Sequence, residues 1–272
     1  MKSISLDRLQ QILAEKKKVL VSYSGGVDST VLAVVSRQVL GPDSRCALLH
    51  SPLIPRRTFK NALSRARALG LDCDVIPFPI LDYKRFVENR EDRCYICKKV
   101  SSHILKDRAS EFGKACVIDG VQLSDMNGYR PGLAACDEER IVHPLSEAGM
   151  TKEDVRNTAR GYGFDFWDNP SSACLASRIP YGEKITVERL EMIEKAEDIL
   201  QDLGFHQVRV RTHGTIARIE VLPDQFGRLL TIRETVTSAF ERIGYDYVTL
   251  DLEGFRSGSM DKGIDRFRSP GT

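Results

Sequence analysis

The sequence predicts an α/β protein, a doubly wound parallel sheet followed by a smaller α+β unit. Three observations carry that reading. Short apolar runs alternate with segments of helical periodicity through the first two thirds of the chain, as in βαβ arrays. Polar or glycine-marked residues (Ser24, Ser51, Asp119) stand at the carboxyl ends of those runs, where parallel sheets hold their ligands. Beyond Gly182 the pattern changes to helix–strand–strand–helix–strand. Residues 1–182 are therefore expected to form the sheet domain and 183–254 a small unit for substrate binding or oligomerisation. Residues 255–272 form a polar, glycine-bearing tail expected to be flexible.

The elements follow in order. Leu6 to Lys16 is an amphipathic helix, and Lys18 to Ser22 the first strand. A glycine turn leads into a helix from about Ser29 to Leu40. Cys46 to His50 is the second strand, and Thr58 to Leu69 a helix stopped by Gly70. Cys73 to Phe78 is the third strand. A helix bearing Cys94 and Cys97 runs to about Phe112, before a fourth strand, Ala115 to Gly120, and a short fifth, Ile141 to Leu145. Thr151 and Asp154 fit a capping box for the helix ending near Gly163. Trp167 to Lys184 is polar and too long for a simple connection, which points to function. Then come a helix (Val187 to Leu203), two strands (Gln207 to Thr212, Ala217 to Leu222) turning at His213-Gly214, a helix (Pro223 to Ile243) and a strand (Tyr247 to Leu252).

Composition narrows the function classes. The 272 residues are 42% hydrophobic and 29% charged, as in soluble globular proteins. With 40 basic and 38 acidic residues the net charge is +2, which argues against a nucleic-acid or membrane surface. No apolar run reaches a membrane span of roughly 18 residues, and the first residues lack a signal-peptide core. Seven unevenly spaced cysteines without an export signal favour metal binding or reactive sulfur over disulfides. The cytoplasm is the expected compartment.

The most informative segment is Val19 to Thr30, a strand running into Ser24-Gly25-Gly26-Val27-Asp28-Ser29 and then a helix. Such a turn aims several backbone N–H groups at one spot beside the positive end of a helix, which makes an anion site. The glycines allow positive φ and close approach, and Ser22, Ser24, Ser29 and Thr30 add hydroxyls. The turn lacks the lysine of the common Gly-x-x-x-x-Gly-Lys loop. Asp28 suits a Mg²⁺ or a backbone amide rather than phosphate itself. The six residues match the pyrophosphate loop of the PP-loop ATP pyrophosphatases. That resemblance implies ATP cleavage between the α and β phosphates and adenylation of a substrate oxygen.

Cys94 and Cys97 form a lone C-x-x-C. At i and i+3 on a helix both thiols share one face, open to a metal, a redox pair or two incidental thiols. Cys174 lies in Asn169-Pro170-Ser171-Ser172-Ala173-Cys174-Leu175-Ala176-Ser177-Arg178, an irregular segment of small residues with an arginine four positions later. This segment resembles the corresponding loop of the LarE family, the ATP-dependent sulfurtransferases that make the nickel-pincer nucleotide of lactate racemase. Asp119 to Asp125 (with Gly120), Tyr129-Arg130-Pro131-Gly132 and Val208-Arg209-Val210-Arg211 resemble it too, so the similarity spans nearly the whole chain.

The resemblance implies a small-molecule nucleotide substrate, a pyridinium mononucleotide whose two carboxylates are adenylated and then sulfurated. Cys174, Arg178 and Asp28 become the catalytic candidates. One branch of the family donates sulfur from its own cysteine. Another carries a [4Fe–4S] cluster on three cysteines and draws on a sulfide source. The pair Cys94 and Cys97 beside Cys174 favours the cluster, since three thiolates leave one iron open. ATP, Mg²⁺ and the cluster are the implied cofactors, and a hexamer the implied assembly.

Arg130, Arg178, Arg209 and Arg211 are candidate ligands for phosphate and carboxylates, with Ser177 beside them; a solvated basic face is the plain alternative for Arg209 and Arg211. Asp119 and Asp125 suit Mg²⁺, ribose or turn formation. Glu197 and Glu220 read as surface charges, the scattered histidines receive no role, and Cys46, Cys73, Cys116 and Cys136 read as bystanders. An NAD-synthetase-like amidating ligase and a tRNA-thiolating enzyme are the rival activities, disfavoured by the C-x-x-C and by the near-neutral charge respectively.

Overall fold

The computed structural model describes residues 4–126, 131–170, 173–256 and 259–260. The chain divides into two compact units, Met1–Ile80 with Asp92–Ser172, and Leu81–Glu91 with Ala173–Thr272.

In the first unit, α1 (Ile4–Lys16) leads into β1 (Val19–Tyr23), α2 (Val27–Leu40), β2 (Ser44–His50), α3 (Arg56–Ala68) and β3 (Cys73–Pro77). α5 (Arg93–Glu111), β4 (Cys116–Ile118), α6 (Pro131–Glu138), α7 (Pro144–Glu147) and α8 (Lys152–Gly161) complete it. The four strands are parallel in the order β3-β2-β1-β4. Strand residues alternate between two cores, as a sheet covered on both faces requires. Val19, Val21 and Tyr23 face a cluster with α1, α2 and α8, while Leu20 faces Leu105, Ala109 and Val117. Cys46 is buried in the first cluster, with Cys73 and Cys116 packed against it. The capping box at Thr151 and Asp154 is present, with both reciprocal bonds formed.

The expected fifth strand reduces to one bridge, Ile118 with Val142. Val142 donates to Val117 O and accepts from Asp119 N, both at 3.1 Å. The ladder stops there because Pro144, with no N–H, opens α7.

The second unit holds α4 (Lys84–Val87), α9 (Val187–Asp202), β5 (Arg209–His213), β6 (Ile216–Glu220), α10 (Phe226–Thr231), α11 (Arg233–Ile243) and β7 (Tyr247–Leu250). β6 pairs antiparallel with β5 across the expected turn and parallel with β7. The long helix expected from Pro223 is a 3₁₀ turn followed by α10 and α11. Ala196, Leu200, Val208, Val210, Ile219 and Phe240 form its core. Fully buried Asn89 sits in the left-handed region at φ 55°, which asparagine tolerates. Its amide donates to the carbonyls of Ile179, Pro180 and Glu183, and so ties down the chain that follows Cys174. Arg130 and the tail from residue 261 onward lie outside the described residues.

Candidate functional site

The first unit carries the phosphate-loop geometry. Gly25 stands at φ +73°, and a Cβ there would lie 2.3 Å from Ala62 Cβ. Only glycine satisfies both the backbone angle and the contact. Gly26 begins α2 with no side chain capping the helix, so the first-turn N–H groups face outward from its positive end. Ser29 Oγ donates to Gly26 O at 3.2 Å and accepts from Ser24 N at 3.2 Å, and the two serine hydroxyls lie 3.0 Å apart. Arg65, stacked over Phe166, donates to Gly25 O at 2.7 Å and fixes the turn from behind. Asp28 is half-buried in the first turn, and its carboxyl is raised above the usual range by desolvation, with Lys152 acting against that. Ser22 lies half-buried in β1, and buried Ser51 accepts from Leu53 N at the end of β2.

Behind the loop, the end of β4 brings Asp119 and Gly120 into place. A Cβ on Gly120 would meet Ser29 N at 2.9 Å, so the strand end packs directly against the loop backbone. Asp119 is buried, and its Oδ1 lies 2.6 Å from His143 Nδ1 and accepts from Val121 N at 3.1 Å. Its Oδ2 stands 3.9 Å from Lys98 Nζ and 3.9 Å from Cys136 Sγ. Burial opposes the charge of Asp119, but the hydrogen bond from His143 and the charge of Lys98 hold its carboxyl below the ordinary range. Desolvation likewise opposes a charged His143, and Asp119 outweighs it, so the imidazole titrates above its usual value. Asp125 accepts from Gln122 N in a short 3₁₀ turn, a local structural bond.

Cys94 and Cys97 lie in the first turns of α5, exposed and half-buried respectively, and neither is in a disulfide. Lys98 follows them. Desolvation works against its charge, but Asp119 and the thiols Cys136, Cys97 and Cys94 hold its ammonium above the usual range. Lys99 points elsewhere, to Glu138 and Glu139 at 2.7 Å each.

In the second unit, exposed Cys174 precedes the 3₁₀ turn Leu175–Arg178. Arg178 is buried and every arm is engaged. Nε and Nη2 pair with the two oxygens of Glu197 at 2.9 and 3.0 Å. Nη1 donates to Ala173 O and Cys174 O at 2.8 Å each, and to Ser177 Oγ at 3.0 Å. Glu197 also accepts from Val210 N at 3.0 Å, which anchors the pair to β5. Arg211 donates to Ser177 O and pairs with Glu220, itself fully buried and bonded to Ser259. Arg209 forms no ion pair among the described residues. Desolvation, then the charge of Arg178, pushes its guanidinium down to about 10.

Among the described residues, no group of three or more His, Cys, Asp or Glu side chains is arranged to hold a metal ion.

The chain is similar in sequence to known proteins. Residues 5–109 match the NAD synthase family. A pyridinium-3,5-bisthiocarboxylic acid mononucleotide synthase of Lactiplantibacillus plantarum is 38% identical over 92% of this chain and 91% of its own length. The chain belongs to the LarE family of ATP-dependent sulfurtransferases. An uncharacterized protein of a Synechocystis strain is also 38% identical, over 94% of this chain and 97% of its own length. More distantly, a glutamine-hydrolyzing GMP synthase of Bacillus cereus is 24% identical over 73% of this chain and 42% of its own length.

Membership of the LarE family does not make every expected residue a ligand. Ser22, Ser24, Gly25, Gly26, Asp28, Ser29 and Gly120 gather at one strand-to-helix turn. The fork of Arg178 is engaged by Glu197 and by the carbonyls around Cys174, so it holds that thiol's segment in place. Glu197 and Glu220 are not surface charges, being 4% and 0% exposed. In Asp119 the Oδ1 atom is engaged by His143 and Val121 N, while Oδ2 has Lys98 and Cys136 at 3.9 Å each. His143 escapes sequence reasoning because its partner lies 24 residues away, a pairing no local spacing encodes.

Proposed function

We propose that this LarE-family protein is an ATP-dependent, AMP- and pyrophosphate-forming sulfurtransferase acting on a pyridinium dicarboxylate mononucleotide, in synthesis of the nickel-pincer cofactor of lactate racemase. The observation that carries the reading is the Gly25–Ser29 turn, a backbone anion site on a chain so similar to the Lactiplantibacillus synthase. The β and γ phosphates of Mg-ATP rest on that turn, with Asp28 on the Mg²⁺. A substrate carboxylate oxygen attacks the α phosphorus, forming a P–O bond as the bond to the pyrophosphate oxygen breaks. The turn's N–H groups stabilise the charge that develops on the leaving pyrophosphate. Sulfide, as HS⁻, then attacks the acyl carbon, the C–O bond to AMP breaks so that AMP leaves with that oxygen, and a thiocarboxylate remains after the sulfur loses its proton to water. Arg209 and Arg211, with Ser177, contact the substrate's anionic groups in this scheme.

The sulfur donor is assigned from its chemistry. Cys94, Cys97 and Cys174 lie outside any disulfide, two of them exposed, and would serve as three ligands of a [4Fe–4S] cluster, which when bound would supply sulfide. A second reading, sulfur donation by Cys174 itself, is favoured by its exposure. Anaerobic iron and sulfide content separates the two, as does the mass of Cys174 after turnover, which falls by one H₂S if the residue becomes dehydroalanine. The cytoplasm and a hexameric assembly are the setting we assign, the latter to be tested by light scattering.

Incubation with ATP, the dicarboxylated nucleotide and sulfide should yield AMP, pyrophosphate and the thiocarboxylate, and Cys174→Ala should stop thiocarboxylate formation. ADP as product would overturn the scheme.

A further inference from the structure

We infer that His143 is a positioning residue for the nucleotide step, acting through Asp119 on the backbone that supports the phosphate loop. The inference rests on the ATP half of the function proposed above and goes beyond it by naming a residue outside the loop.

The chain of contacts is short. His143 Nδ1 lies 2.6 Å from Asp119 Oδ1, and both side chains are buried. Asp119 is an ionised acceptor, so the proton of that bond belongs to Nδ1. His143 Nε2 is buried without a hydrogen-bond partner, and the carboxylate nearest to it is Asp137 Oδ1 in α6, at 3.6 Å. Carboxylates facing both ring nitrogens favour the doubly protonated imidazolium. The charged groups around the ring are Asp119 at the end of β4, Asp137 on α6 and Lys98 on α5. The two acids outnumber the one cation.

The consequence reaches the loop through Asp119. Its Oδ1 also accepts from Val121 N, which fixes the turn containing Gly120. Gly120 has no room to move toward the loop, since even a Cβ would stand 2.9 Å from Ser29 N. The other carboxylate oxygen of Asp119, Oδ2, faces Lys98, the residue after Cys97. Releasing His143 from Asp119 therefore frees one carboxylate that sets both the loop's rear support and the ammonium beside the C-x-x-C. A buried aspartate without its donor also reorients toward water or protonates, and either response shifts the strand end.

The experiment measures Mg-ATP binding by calorimetry, without sulfur substrate, for the full chain and three variants. His143→Ala should weaken binding by about tenfold or more, the scale of a lost charge-assisted hydrogen bond. His143→Asn can donate from the place of Nδ1 and should restore affinity to within about threefold of wild type. His143→Gln donates from the place of Nε2 and should not restore it. Wild-type affinity in all three overturns the inference, as does equal loss in all three with lowered thermal stability, the mark of a merely structural residue. Should the alanine variant fail to fold, ¹⁵N resonances of the wild-type imidazole decide the matter. A protonated Nδ1 at neutral pH supports the inference, and an unprotonated Nδ1 overturns it. A wild-type chain that binds no ATP would sink the functional reading itself, a failure visible before any variant is made.

Discussion

The Ser24–Ser29 turn builds its anion site from backbone, whereas the Cys174 segment is held by buried charged side chains. In the turn, dipoles and N–H groups do the holding, and the critical side chain is the one that is missing at Gly25. Around Cys174, two arginines and two glutamates hold the chain, and all four are no more than 5% exposed, with Arg178 at 1%. A backbone site tolerates no added atoms, while an ion-paired site tolerates no removed charge. Substitution at each should therefore fail for opposite reasons.

The largest effect belongs to the buried pair. Arg178→Ala leaves Glu197 as an uncompensated interior charge, with the carbonyls of Ala173 and Cys174 losing their shared donor. Breaking a buried pair costs about 3–5 kcal/mol. Denaturant unfolding should show that loss for Arg178→Ala, and a smaller one when Glu197→Leu accompanies Arg178→Leu. A single variant as stable as wild type would break the comparison, since the segment would then not depend on its ions.

Gly25→Ala comes next. The change forces a side chain into the left-handed region and against Ala62, at about 1–3 kcal/mol of strain. Because the strain falls on the N–H groups that grip phosphate, ATP affinity should drop roughly 10- to 100-fold. Calorimetric titration checks it. Gly41→Ala, at φ +56° but with nothing within 4 Å of the added carbon, serves as the control for backbone strain alone.

The same contrast explains what the sequence disclosed. The phosphate turn was legible because its shape follows from adjacent residues, a β-rich run and two glycines before a helix. The parallel sheet was legible because strand and helix periodicities alternate. Arg178 with Glu197 was not, since the residues are 19 apart and meet only when α9 packs beside the segment. Local composition therefore offered Arg178 as an anion ligand and Glu197 as a surface charge. Ile141 to Leu145 was misleading in another way, with strand-like apolarity overruled by one proline.

A third prediction concerns pH and the Asp119–His143 pair. His143 is raised from its ordinary 6.5, so its contribution to stability is complete below 6.5 and disappears as pH rises through the raised value. Asp119 is lowered from 3.8, so its contribution is present above 3.8 and fades as pH falls through the lowered value. The pair should stabilise the first unit most between about pH 4 and 6.5. Thermal melting of wild type against His143→Asn should show the difference narrowing as pH rises above 6.5. A constant difference from about pH 5 to 9 would mean that the ring does not titrate there.

The smallest effect tests where charge stops mattering. Glu139 accepts from Lys99 at 2.7 Å and from Lys106 at 2.9 Å, with His103 at 3.2 Å. On paper this is a denser cluster than the pair at Arg178. The lysines, however, stand 28% and 48% exposed, and water and salt screen them. Lys106→Ala should therefore cost at most about 1 kcal/mol, and less in high salt. The remaining cations beside Glu139 make up for the lost one, whereas Glu197 would keep only a backbone donor, Val210 N. If Lys106→Ala proved as damaging as Arg178→Ala, burial would not be what separates the two ionic clusters, and the number of donors would be the property that counts.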